Sequence, residues 1–155
     1  MASKEYVVTE DRIERETLIE APLERVWPLV AVPGFWVADE ESLPTTEGRA
    51  GESVVVKNAR YGEFPVRVEK VEPPTYVAYR WTSAFPGDPL SDGNSTLVEF
   101  TLIPEGTSTR LRVVESGFAA LSGSAELRHK AHEDNSNGWP QVLEAFKKRA
   151  AQPSV

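Results

Sequence analysis

The sequence predicts an α+β domain in which a curved antiparallel sheet is covered by one long C-terminal helix. Three observations carry that prediction. Between residues 54 and 115 the chain passes through short segments of period-two alternation, dominated by β-branched and aromatic residues. Short turns separate most of them, which implies antiparallel neighbours. In the C-terminal region the period changes: Trp139, Val142, Leu143 and Phe146 fall at i, i+3, i+4 and i+7, one apolar helical stripe. That helix is the one element long enough to cover the sheet's apolar face.

Each element follows in order. Residues 1–11 mix residue types without a period and are expected to form a partly ordered lead-in. Residues 12–150 are expected to form the single domain and 151–155 a tail. The run Ile13-Glu14-Arg15-Glu16-Thr17-Leu18-Ile19 reads as the first strand, stopped by Ala21-Pro22. Pro22 suits the first turn of a helix, where its missing N–H has no partner to lose. Val26, Trp27, Leu29 and Val30 give that helix a short apolar stripe, distorted by Pro28 and broken by Pro33-Gly34. Phe35-Trp36-Val37 is expected to add another helical turn. Strands follow at 54–57, 64–71, 76–82, 96–102 and 110–115, with Glu72-Pro73-Pro74 as a turn between the second and third of these. The connection Ala84–Ser95, with two prolines and two glycines, is expected to be mobile and a gate. Ser122 or Ser124 can cap the last helix. Asp134-Asn135-Ser136-Asn137-Gly138 and Pro140 predict a kink, or a division into two helices.

Composition bounds the function. A chain of 155 residues, 40% hydrophobic and 26% charged, is globular and long enough to bury a core. No apolar run is long enough to span a bilayer, so membrane insertion is not expected. The start does not read as a signal peptide, so a cytoplasmic location is the expectation. With no cysteine there are no disulfides, thiolate metal sites or cysteine nucleophiles. A net charge of −7 argues against nucleic acid as a partner and against an anchor on anionic lipid.

Four segments carry a family likeness. Ile19-Glu20-Ala21-Pro22-Leu23-Glu24-Arg25-Val26-Trp27 resembles the I-x-A-P-x-x-x-V-W opening of the SRPBCC superfamily, the START-like or birch-pollen-allergen-like proteins. Val71-Glu72-Pro73-Pro74 followed by Tyr79-Arg80-Trp81 is similar to its central hairpin. Ser116-Gly117-Phe118 and Gly138-Trp139-Pro140-Gln141-Val142-Leu143 resemble the close of one branch, the homologues of the heat-shock-chaperone ATPase activator. The likeness covers roughly residues 12–150. It implies a helix-grip fold of about six to seven strands, two short helices after the first strand, and a cavity between sheet and helix. It implies no fixed catalytic residues. It names no single function, because the superfamily holds lipid carriers, cyclases, hydrolases and chaperone activators.

Parity along the strands selects the inward side chains. Val77, Tyr79 and Trp81 share one face; the family likeness turns the tryptophan inward. Thr96, Val98, Phe100 and Leu102 form the apolar set of the next strand. Leu111, Val113 and Glu115 align on the last. Glu115 therefore has two readings. As an inward carboxylate in an apolar cavity it would serve as acid, base or ligand anchor. As a strand-end glutamate it would pair with an arginine in partial solvent. Trp36, Phe64, Tyr79, Trp81, Val98 and Phe100, with Val113, Trp139 and Val142, are the candidate ligand-binding side chains beside Glu115; large rigid aromatics serve equally to fill a core. Trp81, Phe100 and Trp139 are expected to border one enclosed space.

Other chemistry finds no support. His129 and His132 stand three apart on the helix, but no third ligand lies at useful spacing, so a solvated helix face is expected and no metal. No Gly-x-Ser-x-Gly elbow follows a strand and no glycine loop is built for phosphate. Asp39-Glu40-Glu41 reads as a solvated loop. The resulting expectation is a carrier or sensor of an apolar small molecule, without cofactor. The rivals are a protein-interaction module touching a chaperone, and a cyclase- or hydrolase-type enzyme using Glu115.

Overall fold

The computed structural model describes residues 11–44 and 46–151. Most of the lead-in (1–10) and of the tail (152–155) lies outside the described residues. The strands are β1 (Arg12–Ile19), β2 (Ser53–Asn58), β3 (Gly62–Glu72), β4 (Tyr76–Trp81), β5 (Thr96–Glu105) and β6 (Ser108–Ser116). They form one antiparallel sheet in the order β1-β6-β5-β4-β3-β2. The first strand thus pairs with the last, Ile13 opposite Glu115 and Ile19 opposite Thr109. A register shift between Val68 and Lys70 marks a bulge in β3, which bends the sheet where it must curl.

Register explains which side chains enter the core. Val98 faces Glu115, Phe100 faces Val113 and Leu102 faces Leu111 across β5 and β6, and all six are buried. The intervening Leu97, Glu99, Arg112 and Val114 are only partly covered. Inward parity on both strands is as the alternation predicts.

Helix α1 (Leu23–Val30) starts directly after Pro22 and buries Val26, Trp27 and Val30. It is the one α-helix between β1 and β2 among the described residues. In place of the second helix stands a turn, with the Val37 and Ala38 N–H groups donating to the Gly34 carbonyl, and then a 3₁₀ turn Glu40–Ser42. Gly34 is what permits this. Its φ of +79° lies in the left-handed region, and a Cβ there would meet Val56 at 2.8 Å. The sharp reversal sends Phe35 and Trp36 into the core.

Helix α2 (Ala125–Ala151) is one continuous helix of 27 residues, so the expected division near Pro140 does not occur. Ser124 caps it: its Oγ accepts from the Leu127 N–H at 3.1 Å. Pro140 leaves the Ser136 carbonyl without its helical donor, and Arg15 of β1 supplies one through Nη2 at 3.4 Å. Burial of Trp139, Leu143, Phe146 and Ala150 holds the rest of the helix against the sheet. Its axis runs closest to β1. The sheet curls away from it toward β3 and β2, and aromatic side chains fill the widening gap.

The connection between β4 and β5 is tied down at several points. Gly87 N–H donates to the Glu63 carbonyl, Ser122 N–H to the Gly93 carbonyl, and Ser91 and Asn94 form a reciprocal capping box. Phe85 packs against the core.

Candidate functional site

Glu115 is the organising residue. It is wholly buried on the inner face of β6, with 0% exposure. Among the described residues its partners are Thr96, Trp81, Trp139 and Asn135 and no arginine; the strand-end reading with a solvated ion pair is overturned, because the inward row of β6 keeps its parity as far as Glu115. Thr96 Oγ1 donates to its Oε2 at 2.6 Å and Trp81 Nε1 to the same oxygen at 3.0 Å. Trp139 Nε1 donates to Oε1 at 2.8 Å, and Asn135 Nδ2 bridges both oxygens at 3.1 Å each. The partners come from β4, β5 and α2, so one carboxyl ties the helix to two neighbouring strands.

The donor set is selective. Indole N–H and amide NH₂ groups can only donate, so Trp81, Trp139 and Asn135 all require an acceptor. Burial nevertheless raises the Glu115 carboxyl above the ordinary carboxylate range, and the hydrogen bonds from Thr96, Trp139, Trp81 and Asn135 oppose that rise. Thr96 alone among the partners can reverse its role and accept the proton when the carboxyl takes one.

Trp81 and Trp139, each almost wholly buried, border with their remaining edges a cleft of about 540 Å³ between α2, the Phe35–Val37 turn and the β2–β3 hairpin. That volume lies within the roughly 300–1,000 Å³ of small-molecule sites. Trp36 and Phe64 complete the aromatic wall: the Trp36 ring sits 5.4 Å from Trp81 and 6.4 Å from Trp139, and Phe64 sits 5.2 Å from Trp81. Val142 lines the helix side, and Tyr61, 57% exposed, stands at the mouth. Trp36 Nε1 is buried with no hydrogen-bond partner.

Of the residues singled out by sequence, Trp36, Phe64, Trp81, Trp139 and Val142 line the cleft. Tyr79, Val98, Phe100 and Val113 are fully buried and lie behind it. Phe100 sits beneath the Trp36 and Trp139 rings, at 5.6 and 5.9 Å, and fills the space that sequence parity alone leaves open. Tyr79 spends its hydroxyl on the Val30 carbonyl at 2.6 Å, and burial pushes its phenol up. The space bordered by the tryptophans is an open cleft, where an enclosed one was expected. Glu115 stands one layer behind the wall.

Sequence reasoning did not single out Ser83, Asn135 and Gly138, which also line the cleft. For Asn135 and Gly138 the signal was present as a broken local rule, a run of poor helix formers kept inside a helix; Ser83, in the β4–β5 connection, carried no such signal. Gly138 is the plainest case. A Cβ there would meet nothing within 4 Å, so the glycine leaves room in the cleft while weakening the helix.

His132 is half-buried, its Nε2–H donating to the Arg12 carbonyl at 3.1 Å and its ring edge-on to Phe118. Among the described residues no group of three or more His, Cys, Asp or Glu side chains is placed to hold a metal ion. Among the described residues no helix is long and apolar enough to cross a membrane.

A curved antiparallel sheet around one C-terminal helix, with an aromatic cleft between them, defines a helix-grip protein. The chain belongs to the family of activator of Hsp90 ATPase homolog 1-like proteins, whose profile matches residues 20–151. No curated protein sequence matches the chain. Among solved structures it is similar to protein MLL2253 from Mesorhizobium loti, at 24% identity and a TM-score of 0.68, over 93% of this chain and 99% of that one. It is also similar to the Aha1 dimer from Colwellia psychrerythraea, at 14% identity and a TM-score of 0.62, over 90% and 96% of the two chains. A third is DynU16, a putative protein of the dynemicin biosynthetic locus, at 19% identity and a TM-score of 0.64, over 89% of this chain and 46% of that one. These likenesses establish the shared fold.

Proposed function

We propose that the chain binds a small, largely apolar aromatic molecule in the cleft, as a carrier or sensor and without catalysing a reaction on it. One observation carries the reading. The two tryptophans of the wall have their polar N–H groups fixed on Glu115, so the edges they leave at the cleft are apolar. The glycine at 138 keeps the space beside them open at a cost to the helix. DynU16, with the same fold, is a putative protein of the dynemicin biosynthetic locus, and a place in biosynthesis agrees with this reading. Use of Glu115 as an acid–base group is disfavoured by its position behind Trp81, Trp139 and Asn135, out of contact with the cleft.

Titration with Nile red, an uncharged fluorescent probe, tests it. Binding is expected at micromolar concentration, about −8 kcal/mol. Val142→Trp, which fills the cleft from a residue that makes no bond to Glu115, is expected to abolish binding while the protein still melts cooperatively. Equal binding by wild type and Val142→Trp would place the probe elsewhere and remove the basis of the proposal. Contact with a chaperone is the second reading, favoured by the family's name. It predicts stimulation of a chaperone ATPase by this protein, with Val142→Trp as active as wild type.

A further inference from the structure

One end of the cleft is polar, and Glu115 dictates how. The Asn135 amide nitrogen donates to Ser83 Oγ at 2.7 Å as well as to both carboxyl oxygens of Glu115. Turning the amide over would set its carbonyl against the carboxylate, so the orientation is fixed. Asn135 Oδ1 is thereby left as an acceptor on a residue that lines the cleft. Ser83 accepts from Asn135, which directs its own hydroxyl proton away from that amide. Ser83 is also the one non-glycine residue with positive φ among those described, at +25°, and it too lines the cleft. Strain of this kind persists where surrounding structure enforces it, and it collects at ligand sites. Among the described residues the cleft wall holds one charged side chain, Asp134, paired with Lys130 at 3.4 Å, so no cation faces the cleft to receive an anion.

We propose that Ser83 and Asn135 are a docking pair for the polar group of an uncharged aromatic ligand carrying an acceptor and a donor side by side, as an aryl carboxamide or lactam does. The Ser83 hydroxyl donates to the ligand carbonyl and Asn135 Oδ1 accepts the ligand N–H. Glu115 is then a positioning residue: it touches no ligand and holds the amide in the receptive orientation. This inference rests on the cleft being a binding site and adds the chemistry it selects.

Quenching of tryptophan fluorescence by three probes tests it: 2-naphthamide, 2-acetonaphthone and naphthalene. In wild type the expected order of affinity is naphthamide, then acetonaphthone, then naphthalene, with about fivefold for each hydrogen bond. Ser83→Ala is expected to lower affinity for naphthamide and acetonaphthone about fivefold and leave naphthalene unchanged. Asn135→Asp retains an acceptor facing a donor, but sets a second carboxylate beside Glu115. It is therefore expected to lose the naphthamide preference, and circular dichroism reports whether it still folds. Should the variant fail to fold, Ser83→Ala decides alone. Naphthalene binding with no preference among the probes, unchanged in Ser83→Ala, would overturn the docking pair and leave the cleft as a purely apolar site. Failure of all three probes to bind would overturn the proposed function as well.

Discussion

The two halves of helix α2 meet the same sheet in opposite ways. Toward its C-terminus, Leu143, Phe146 and Ala150 enter a dry interior in which the Phe146 ring lies 5.0 Å from Phe35, and Phe35 lies 4.9 Å from Phe100. Toward its N-terminus, Asn135 and Trp139 instead clasp a buried carboxyl, and Gly138 faces open space. The first half is held by area and fit, which tolerate no missing volume. The second is held by directed bonds, which fix side chains while leaving a gap beside them. A cleft next to a tightly packed core needs that change of mechanism: apolar contact alone would close the gap, because walls of apolar side chains gain by collapsing onto one another.

Substitutions in each half should separate the two. The largest effect is expected from Phe146→Ala, which removes a ring from the dry half. Truncation of a buried phenylalanine costs about 3–5 kcal/mol, seen as a large fall in melting temperature. Nile red binding at temperatures where the variant is folded should be unchanged; a loss of binding would show that the halves are not independent.

An intermediate effect is expected in the polar half. Glu115→Gln keeps the shape but replaces one acceptor oxygen by an NH₂ group facing donors. The cost is about 1–3 kcal/mol. Its pH dependence distinguishes it from a packing defect. The Glu115 carboxyl binds its proton more tightly in the folded than in the unfolded chain. Its contribution to stability is therefore full below the unfolded carboxyl value, near 4.3, and is lost as pH rises through the higher folded value. The stability gap between wild type and Glu115→Gln should be widest in acid and narrow as pH rises. A gap that widens with pH would mean that the donors outweigh burial.

The smallest effect is a gain. Gly138→Ala places a methyl group in the cleft without contact and removes a helix-interior glycine, which should stabilise the fold by about 0.5–1 kcal/mol. Nile red affinity should fall. Greater stability with unchanged affinity would show that the bound molecule does not approach this face of the helix.

The sequence by itself determined the sheet, its inner face and the covering helix, because these are periodic properties. Alternation on β5 and β6 places Val98, Phe100, Val113 and Glu115 inward with no knowledge of what they meet, and the stripe from Trp139 to Phe146 does the same for α2. Tertiary structure decided three things. The helix runs on through Pro140 because Trp139, Leu143 and Phe146 find a core to enter, and the freed Ser136 carbonyl takes a donor from Arg15, 121 residues away in sequence. Which inward aromatics line the cleft and which fill the core depends on how far the sheet has curled from the helix at each strand. The state of Glu115 depends on its complete burial and on four donors from β4, β5 and α2 converging on one point. Periodicity reports the direction in which a side chain leaves its own backbone; the partner it finds there is set by the distances between elements, and no local pattern carries them.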